Sequence, residues 1–494
     1  MRPFTDPPLD LKIAKMKERV RWQHPWLRSQ DLDQTRLVVE ADSSAWAAPR
    51  AGFSFLVMGD TGWGPQDTAH PQRHIAQRMV PHLPDCCFTL HTGDVVYTLG
   101  SKDFYPQNFI EPYREWLVGG AQPAAIAYDR MVFRHPIFPT PGNHDYCHMP
   151  LPVGIAVQGL YSLFRALGLS VRKNIGWRGS NQGEAYARAF MDYLQDWDTP
   201  EALLQHLQQH YTAQTATGRC LSYRPGHFTR VPNRYYSFTV GGIDFFALDS
   251  TTLNQWSPSA EDGLPDREQR QWLRDRLIQS WQDSQVRGRI LFFHHPPYVT
   301  EATKWKNSET YAMRQSLRWV FDAVLAEISD RSQAERHPVV DLVLAGHAHC
   351  LEYLQTGDTG HGDAHLHWWV CGGSGCSTRR QRREGDRLPE WPTIQADWIP
   401  ESLGQSEDLT QRESARSHLY VGKTGQGDRL CEQYSFLRID VAPGDSLQLT
   451  VRPFVSRYHQ GQWHDQELPA IRTESDPRES HPAVNTGVCR SLGP

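Results

Sequence analysis

The stretch Phe53-Ser54-Phe55-Leu56-Val57-Met58-Gly59-Asp60-Thr61-Gly62 decides the architecture. A short apolar run closed by Gly-Asp reads as a buried strand that delivers a carboxylate from its C-terminal end. The pattern recurs along the chain. Cys87-Phe88-Thr89-Leu90-His91-Thr92 runs into Gly93-Asp94, Ile290-Leu291-Phe292-Phe293 into His294, and Val340-Asp341-Leu342-Val343-Leu344-Ala345 into Gly346-His347. Strands that each end in a polar block are what a rim of functional groups at strand ends requires. Helical periodicity over 71–80, 266–280 and 311–329 lies between them, and this alternation predicts an α/β architecture.

Outward from that frame, Tyr235–Thr239 and Ile243–Asp249 read as a hairpin joined through Gly241-Gly242. Phe436–Val441 and Ser446–Val455, separated by Pro443-Gly444-Asp445, read as a second hairpin that would complete a second sheet. Leu9, Ile13, Met16 and Val20 recur at helical spacing, so residues 1–50 are expected to be an N-terminal helical extension. Residues 51–494 form the main domain. Within it, an insertion near 149–232, with helices at 184–197 and 201–215, is expected to cap one side. Residues 377–430 are polar and weakly periodic and read as a surface excursion, and the tail from about 460 as loosely ordered.

Composition excludes several classes. Lys and Arg total 51 against 56 Asp and Glu, a net charge of −5, which predicts no general affinity for nucleic acid. No apolar run approaches the ~18 residues of a membrane span. The N-terminus lacks a basic start followed by an apolar segment. Nine cysteines show no CxxC pair or disulfide-scaffold spacing. Reduced thiols and a cytoplasmic location are the expectation.

Five polar blocks follow one another in order: Gly59-Asp60-Thr61-Gly62, Gly93-Asp94-Val95-Val96-Tyr97, Gly142-Asn143-His144-Asp145, His294-His295-Pro296 and Gly346-His347-Ala348-His349. Their carboxylate, phenol, amide and imidazole donors suit iron, manganese and zinc better than a thiolate site would. A pair of cations needs one carboxylate between them, and Asp94, central in the set and preceded by glycine, is the natural bridge.

The order and content of these blocks resemble the calcineurin-like metallophosphoesterases, and the first two blocks resemble the purple acid phosphatases in particular. Most of the wider superfamily carries Asp-x-His in the first block. Gly62 stands there in this chain, and Tyr97, three residues after Asp94, compensates as it does in purple acid phosphatases. The resemblance implies two packed mixed β-sheets flanked by helices. It assigns Asp60, Tyr97 and His349 to one metal, Asn143, His294 and His347 to a second, and Asp94 to both. It implies Fe3+ in the first place, with Fe2+, Zn2+ or Mn2+ in the second.

His144 resembles the histidine that faces the substrate oxygen, and Asp145 is expected to orient that loop or the imidazole; these two are the catalytic candidates. His295 and Lys304 are the substrate-binding candidates. Arg379, Arg380, Arg382 and Arg383 form a basic run that reads as a solvated loop, with a border of the cleft for a polyanionic substrate as the alternative. The expected reaction is hydrolysis of a small phosphate monoester by metal-bound hydroxide. The alternatives are a phosphodiesterase acting on a nucleotide or lipid head group, and a non-catalytic scaffold that keeps the fold. Neither oligomeric state nor the physiological substrate is legible.

Overall fold

The computed structural model describes residues 5–40, 50–63, 70–150, 152–156, 176–256, 263–328, 338–390, 413–426, 430–459 and 461–474. Their strands form two sheets. The first runs in the order β13 (Arg387–Pro389), β14 (Glu413–Val421), β11 (Leu351–Thr356), β12 (His367–Cys371), β10 (Leu342–Ala345), β9 (Gly288–Phe292), β8 (Ile243–Ala247), β7 (Tyr236–Val240), β1 (Leu32–Val39), β6 (Gly218–Tyr223) and β5 (Ala213–Thr215). The second runs β17 (Gln462–Glu467), β16 (Gln448–His459), β15 (Gln433–Val441), β2 (Phe53–Met58), β3 (Thr89–His91) and β4 (Ile137–Pro139), with β18 (Ile471–Glu474) also on β16. Both sheets are mixed. β8, β9, β10 and β12 are parallel neighbours, as are β2, β3 and β4, while β11 and β15 join them antiparallel.

The helices among the described residues include α1 (Leu9–Arg19), α2 (Pro25–Arg28), α3 (Pro71–Met79), α4 (Glu184–Phe190), α5 (Pro200–His210), α6 (Arg267–Gln282) and α7 (Ser308–Glu327). The main core lies between the sheets. Phe55 of β2 meets Phe245 of β8 edge-on at 5.4 Å, Phe88 meets Phe238 of β7 at 5.6 Å, and Phe238 stacks on Phe245 at 4.9 Å. Each buried ring contributes ~1.5–3 kcal/mol by removal from water, and truncating one such as Phe245 to Ala costs ~3–5 kcal/mol. A second apolar layer covers the other face of the first sheet. There Met313, Leu317, Val320, Phe321 and Val324 of α7 share a cluster with Leu273 and Leu277 of α6 and with Leu291 and Val343 of the sheet. Their spacing is that of one helix face.

Both predicted hairpins form. Gly241 and Gly242 take φ of +54° and +76°, the paired left-handed turn whose twist suits a two-residue hairpin. The C-terminal hairpin joins the second sheet because β15 pairs with β2.

Four expectations need correction. The N-terminal segment is not only helical: β1 is inserted between β7 and β6, parallel to both. Its alternation is broken by Asp33 and Thr35, whose side chains are buried and bonded to each other. The insertion does more than cap, since β6 and β5 extend the first sheet through β1. Its helices also end early, at Phe190 and His210. The excursion contains β13 and β14, and β14 pairs with β11 over its length. The polar segment after 460 supplies β17 and β18, edge strands whose exposed faces carry no apolar pattern to read. The rest of the tail, the expected helix end at Ser329, and parts of the insertion and excursion lie outside the described residues.

Candidate metal centre

The five polar blocks converge because the strands that carry them are parallel. β2, β3 and β4 bring Asp60, Asp94 and Asn143 to one end of the second sheet, and β9 and β10 bring His294 and His347 to the same end of the first. Asp60, Asp94 and His347 all adopt left-handed backbone, at φ +54°, +53° and +66°. Non-glycine residues held there store strain that the surrounding hydrogen bonds must offset, a feature that concentrates at functional sites. Gly142 allows a close approach to the shared carboxylate: a Cβ at that position would lie 2.2 Å from Asp94 Oδ1.

Two donor sets share Asp94. In the first, the Tyr97 hydroxyl lies 2.7 Å from Asp60 Oδ1, 2.7 Å from Asp94 Oδ2 and 3.1 Å from His349 Nε2. A phenol has one proton, so it cannot donate to both carboxylates at once. Burial and the two carboxylates push its pKa well above that of a free phenol. A cation among these oxygens would reverse that repulsion, because an ion becomes the largest local charge. The His349 Nδ1–H donates to the Ser377 carbonyl at 3.0 Å, which leaves the lone pair of Nε2 facing Tyr97 and free to meet a cation.

In the second set, His294 Nε2 lies 3.2 Å from Asn143 Oδ1, 3.3 Å from Asp94 Oδ2 and 3.2 Å from His347 Nδ1. Ligands ~2.1 Å from one cation stand about 3 Å from each other, so this spacing fits a shared ion. His294 Nδ1–H donates to the Thr92 carbonyl at 2.8 Å and again frees Nε2. Burial opposes the charged imidazole of His294, yet Asp94 and Asp60 raise its pKa to about 9. Burial likewise opposes ionisation of Asp94, but His294 and His144 hold it well below the usual carboxylate range. Asp60, Asp94 and His294, and separately His294, His295 and His347, present ligand atoms within 4.8 Å of one another.

Residues 53–351, more than half of the sequence, match the calcineurin-like phosphoesterase family. The chain belongs to that family. Among curated proteins there is no match. Among solved structures, the chain is similar to the purple acid phosphatase PPD1 from yellow lupin (Lupinus luteus) seeds, at 13% identity and a TM-score of 0.42 over 87% of this chain and 55% of that one. It therefore spans about half the length of the lupin protein. It is also similar to GAP50, the anchor in the inner membrane complex of Plasmodium, at 11% identity and a TM-score of 0.38 over 86% of this chain and 89% of that one. Membership gives a dimetal-binding phosphoesterase fold with aspartate and histidine donors. No described helix is long and apolar enough to cross a membrane.

Around the donors of this family member stands a shell of buried groups. The Asp145 carboxylate accepts the Val95 N–H at 3.1 Å and the Gly142 N–H at 2.9 Å. Burial and neighbouring Asp94 push its pKa up to about 8. It ties the second and third loops together and does not line the cavity. His91 bonds Thr61 Oγ1 at 2.9 Å, and burial drives its pKa down to about 4. His295 is also away from the cavity. Its ring lies beside those of His294 and His347, at 4.8 and 4.3 Å, but its Nδ1 meets Ser250 Oγ at 3.0 Å and its Nε2 has no hydrogen-bond partner among the described residues.

A cavity of about 210 Å³ opens beside the donors, lined by Asp94, Asn143, His144, Glu301, Thr303, Lys304, His347, His349 and Arg379. Of the residues singled out in the sequence as catalytic or substrate-binding, His144 and Lys304 line it. His144 Nδ1 bonds the Thr98 carbonyl, and its backbone N–H donates to Asp94 Oδ1 at 2.9 Å. Arg379 corrects the reading of its loop as wholly solvated: its N–H bonds the His349 carbonyl at 2.8 Å, which fixes that loop against the site. No spacing in the sequence signals this, because the contact is made by backbone. Glu301 and Thr303 were also missed; only their nearness to Lys304 could have indicated them.

Proposed function

We propose that this site hydrolyses phosphate monoesters with two cations bound. Asp60, Tyr97 and His349 would hold one, Asn143, His294 and His347 the other, and Asp94 would be shared. Ferric iron suits the first set, whose donors include two carboxylates and a phenolate, and Fe2+, Zn2+ or Mn2+ suits the second. Bound there, the cations would supply Lewis-acid polarisation of the phosphoryl oxygens and a water of lowered pKa.

The cavity carries the monoester reading. Lys304 and Arg379 line one small space of about 210 Å³ together with the carboxylates of Asp94 and Glu301. With two metal cations bound the positive charge there would exceed that of the carboxylates, which favours a monoester, with two negative charges, over a diester with one. The volume also falls below the ~300–1,000 Å³ of sites for larger ligands, which favours a compact ester. His144 is oriented by the Thr98 carbonyl at Nδ1. Its Nε2 is then the nitrogen available to protonate the leaving oxygen, a contribution of ~10²–10⁴-fold when such a group is well placed.

Turnover of an aryl phosphate compared with the bis-aryl phosphate tests the proposal. Preference for the monoester is expected, and preference for the diester would overturn it. An Asn143→Ala variant that kept full activity and full metal content would overturn the ligand assignment. The eight cysteines among the described residues are free thiols, most of them buried, which supports placing this reaction in a reducing compartment such as the cytoplasm.

A further inference from the structure

His347 has two ring nitrogens with different company. Nδ1 faces His294 Nε2 at 3.2 Å and so points into the second donor set. Nε2 faces outward to two side chains of opposite charge: Lys304 Nζ at 2.7 Å and Glu309 Oε2 at 3.3 Å. Glu309, in the first turn of α7, is itself held by Asn307 Nδ2 at 3.1 Å. The ring has little freedom, since the backbone N–H of His347 donates to Asp60 Oδ2 at 2.8 Å and the residue is 7% exposed.

The two neighbours demand different forms of the same imidazole. An ammonium only donates, so Lys304 can bond Nε2 only where that nitrogen offers a lone pair; the ring proton then sits on Nδ1, where it blocks a cation. A carboxylate only accepts, so Glu309 can bond Nε2 only where that nitrogen carries the proton, and Nδ1 is then free to ligate. A carboxylate on the outer nitrogen of a metal-binding histidine is the usual way such a ring is oriented.

We propose that Glu309 and Lys304 compete for Nε2 of His347, so that a cation in the second donor set gives this nitrogen to Glu309 and releases Lys304 to the substrate's phosphate. The inference rests on the dimetal reading above. It makes Glu309 a positioning residue and couples cation binding to anion binding through one ring. Lys304 can make the exchange because its backbone is fixed, its N–H to the Glu301 carbonyl at 3.1 Å and its carbonyl to Thr310 Oγ1 at 3.0 Å, while its side chain borders the cavity with Asn143, His144 and Arg379.

The test is equilibrium dialysis of the chelator-stripped full chain against Zn2+, read by elemental analysis, for wild type, Glu309→Gln and Lys304→Met. Glu309→Gln is expected to weaken one of two cations ~10–100-fold, the range for loss of an outer partner. Lys304→Met is expected to strengthen that cation and to weaken inorganic phosphate binding to the loaded protein. Histidine-selective 15N spectra of the stripped protein separate competition from a mere loss of positive charge. Lys304→Met should move His347 to the Nε2–H form. An unchanged affinity in Glu309→Gln, an unchanged or weakened one in Lys304→Met, or an unmoved tautomer overturns the competition alone. A wild-type chain that binds no cation overturns the dimetal reading, and this inference with it.

Discussion

The two donor sets sit side by side on one pair of sheets, yet they are built from different chemistry. Around Tyr97 stand two carboxylates and one imidazole, with a phenol oxygen 2.7 Å from each carboxylate. Around His294 stand a neutral amide oxygen, two imidazoles and the shared Asp94. The first set concentrates negative charge and its phenol resists ionisation without a compensating ion. The second holds only one carboxylate, Asp94, whose charge together with that of Asp60 favours the protonated form of His294. On the proposed reading, one set would suit a highly charged hard cation and the other a divalent one, with Asp94 shared between them.

The largest effect should come from removing what the sets share. Asp94→Asn is expected to lower the affinity for both cations by more than the ~10–100-fold that loss of an outer partner costs. Retention of both by dialysis and elemental analysis would break the comparison. Tyr97→Phe should act on one side only. It is expected to abolish any visible tyrosinate-to-Fe3+ absorption and to weaken the first cation while the second stays bound. Asn143→Ala should give the mirror image, with the second cation weakened and the colour kept. If both variants lose the same ion, the two sets are not distinct.

A control lies outside the site. In the insertion, Asp192 Oδ1 bonds His206 Nε2 at 2.9 Å and Asp192 Oδ2 accepts from Tyr211 at 2.9 Å. Burial opposes both charges, yet the pairing lowers the Asp192 pKa and raises that of His206. A raised histidine contributes stability that is fully present below its unfolded pKa of ~6.5 and lost as pH rises through the folded value. A depressed carboxylate contributes stability present above its unfolded pKa of ~3.9 and lost as pH falls through its folded value. Asp192→Asn should therefore lower the thermal midpoint more at pH 5.5 than at pH 9 and leave cation affinity unchanged. This would separate loss of folding from loss of ligation in the other variants.

Much of this was legible in the sequence, and the reason is local. Each strand that ends in Gly-Asp, His or Gly-His is an apolar run followed by its donor, so strand and function are read together. β4 escaped because Ile137–Pro139 is three residues long and hemmed by Pro136 and Pro141, with no room for a period to show. β1 and β6 escaped because their partners are far away in sequence: Leu32 pairs with Arg219 and Arg36 with Ser237. The same holds at the site. Asp145 and His144 are adjacent, yet a single turn of 3-10 helix sends one carboxylate back into the loops and one imidazole into the cavity. Arg379 and Glu309 reach the site through a backbone bond and a helix start, which no spacing records.

The most direct measurement is elemental analysis of the purified chain together with its visible spectrum before and after mild reduction. Two cations per chain, at least one of them iron, with a charge-transfer band that Tyr97→Phe removes, is the result expected of two unlike donor sets. Two equivalents of manganese or zinc without colour would contradict the asymmetry, and no bound metal would contradict the centre itself.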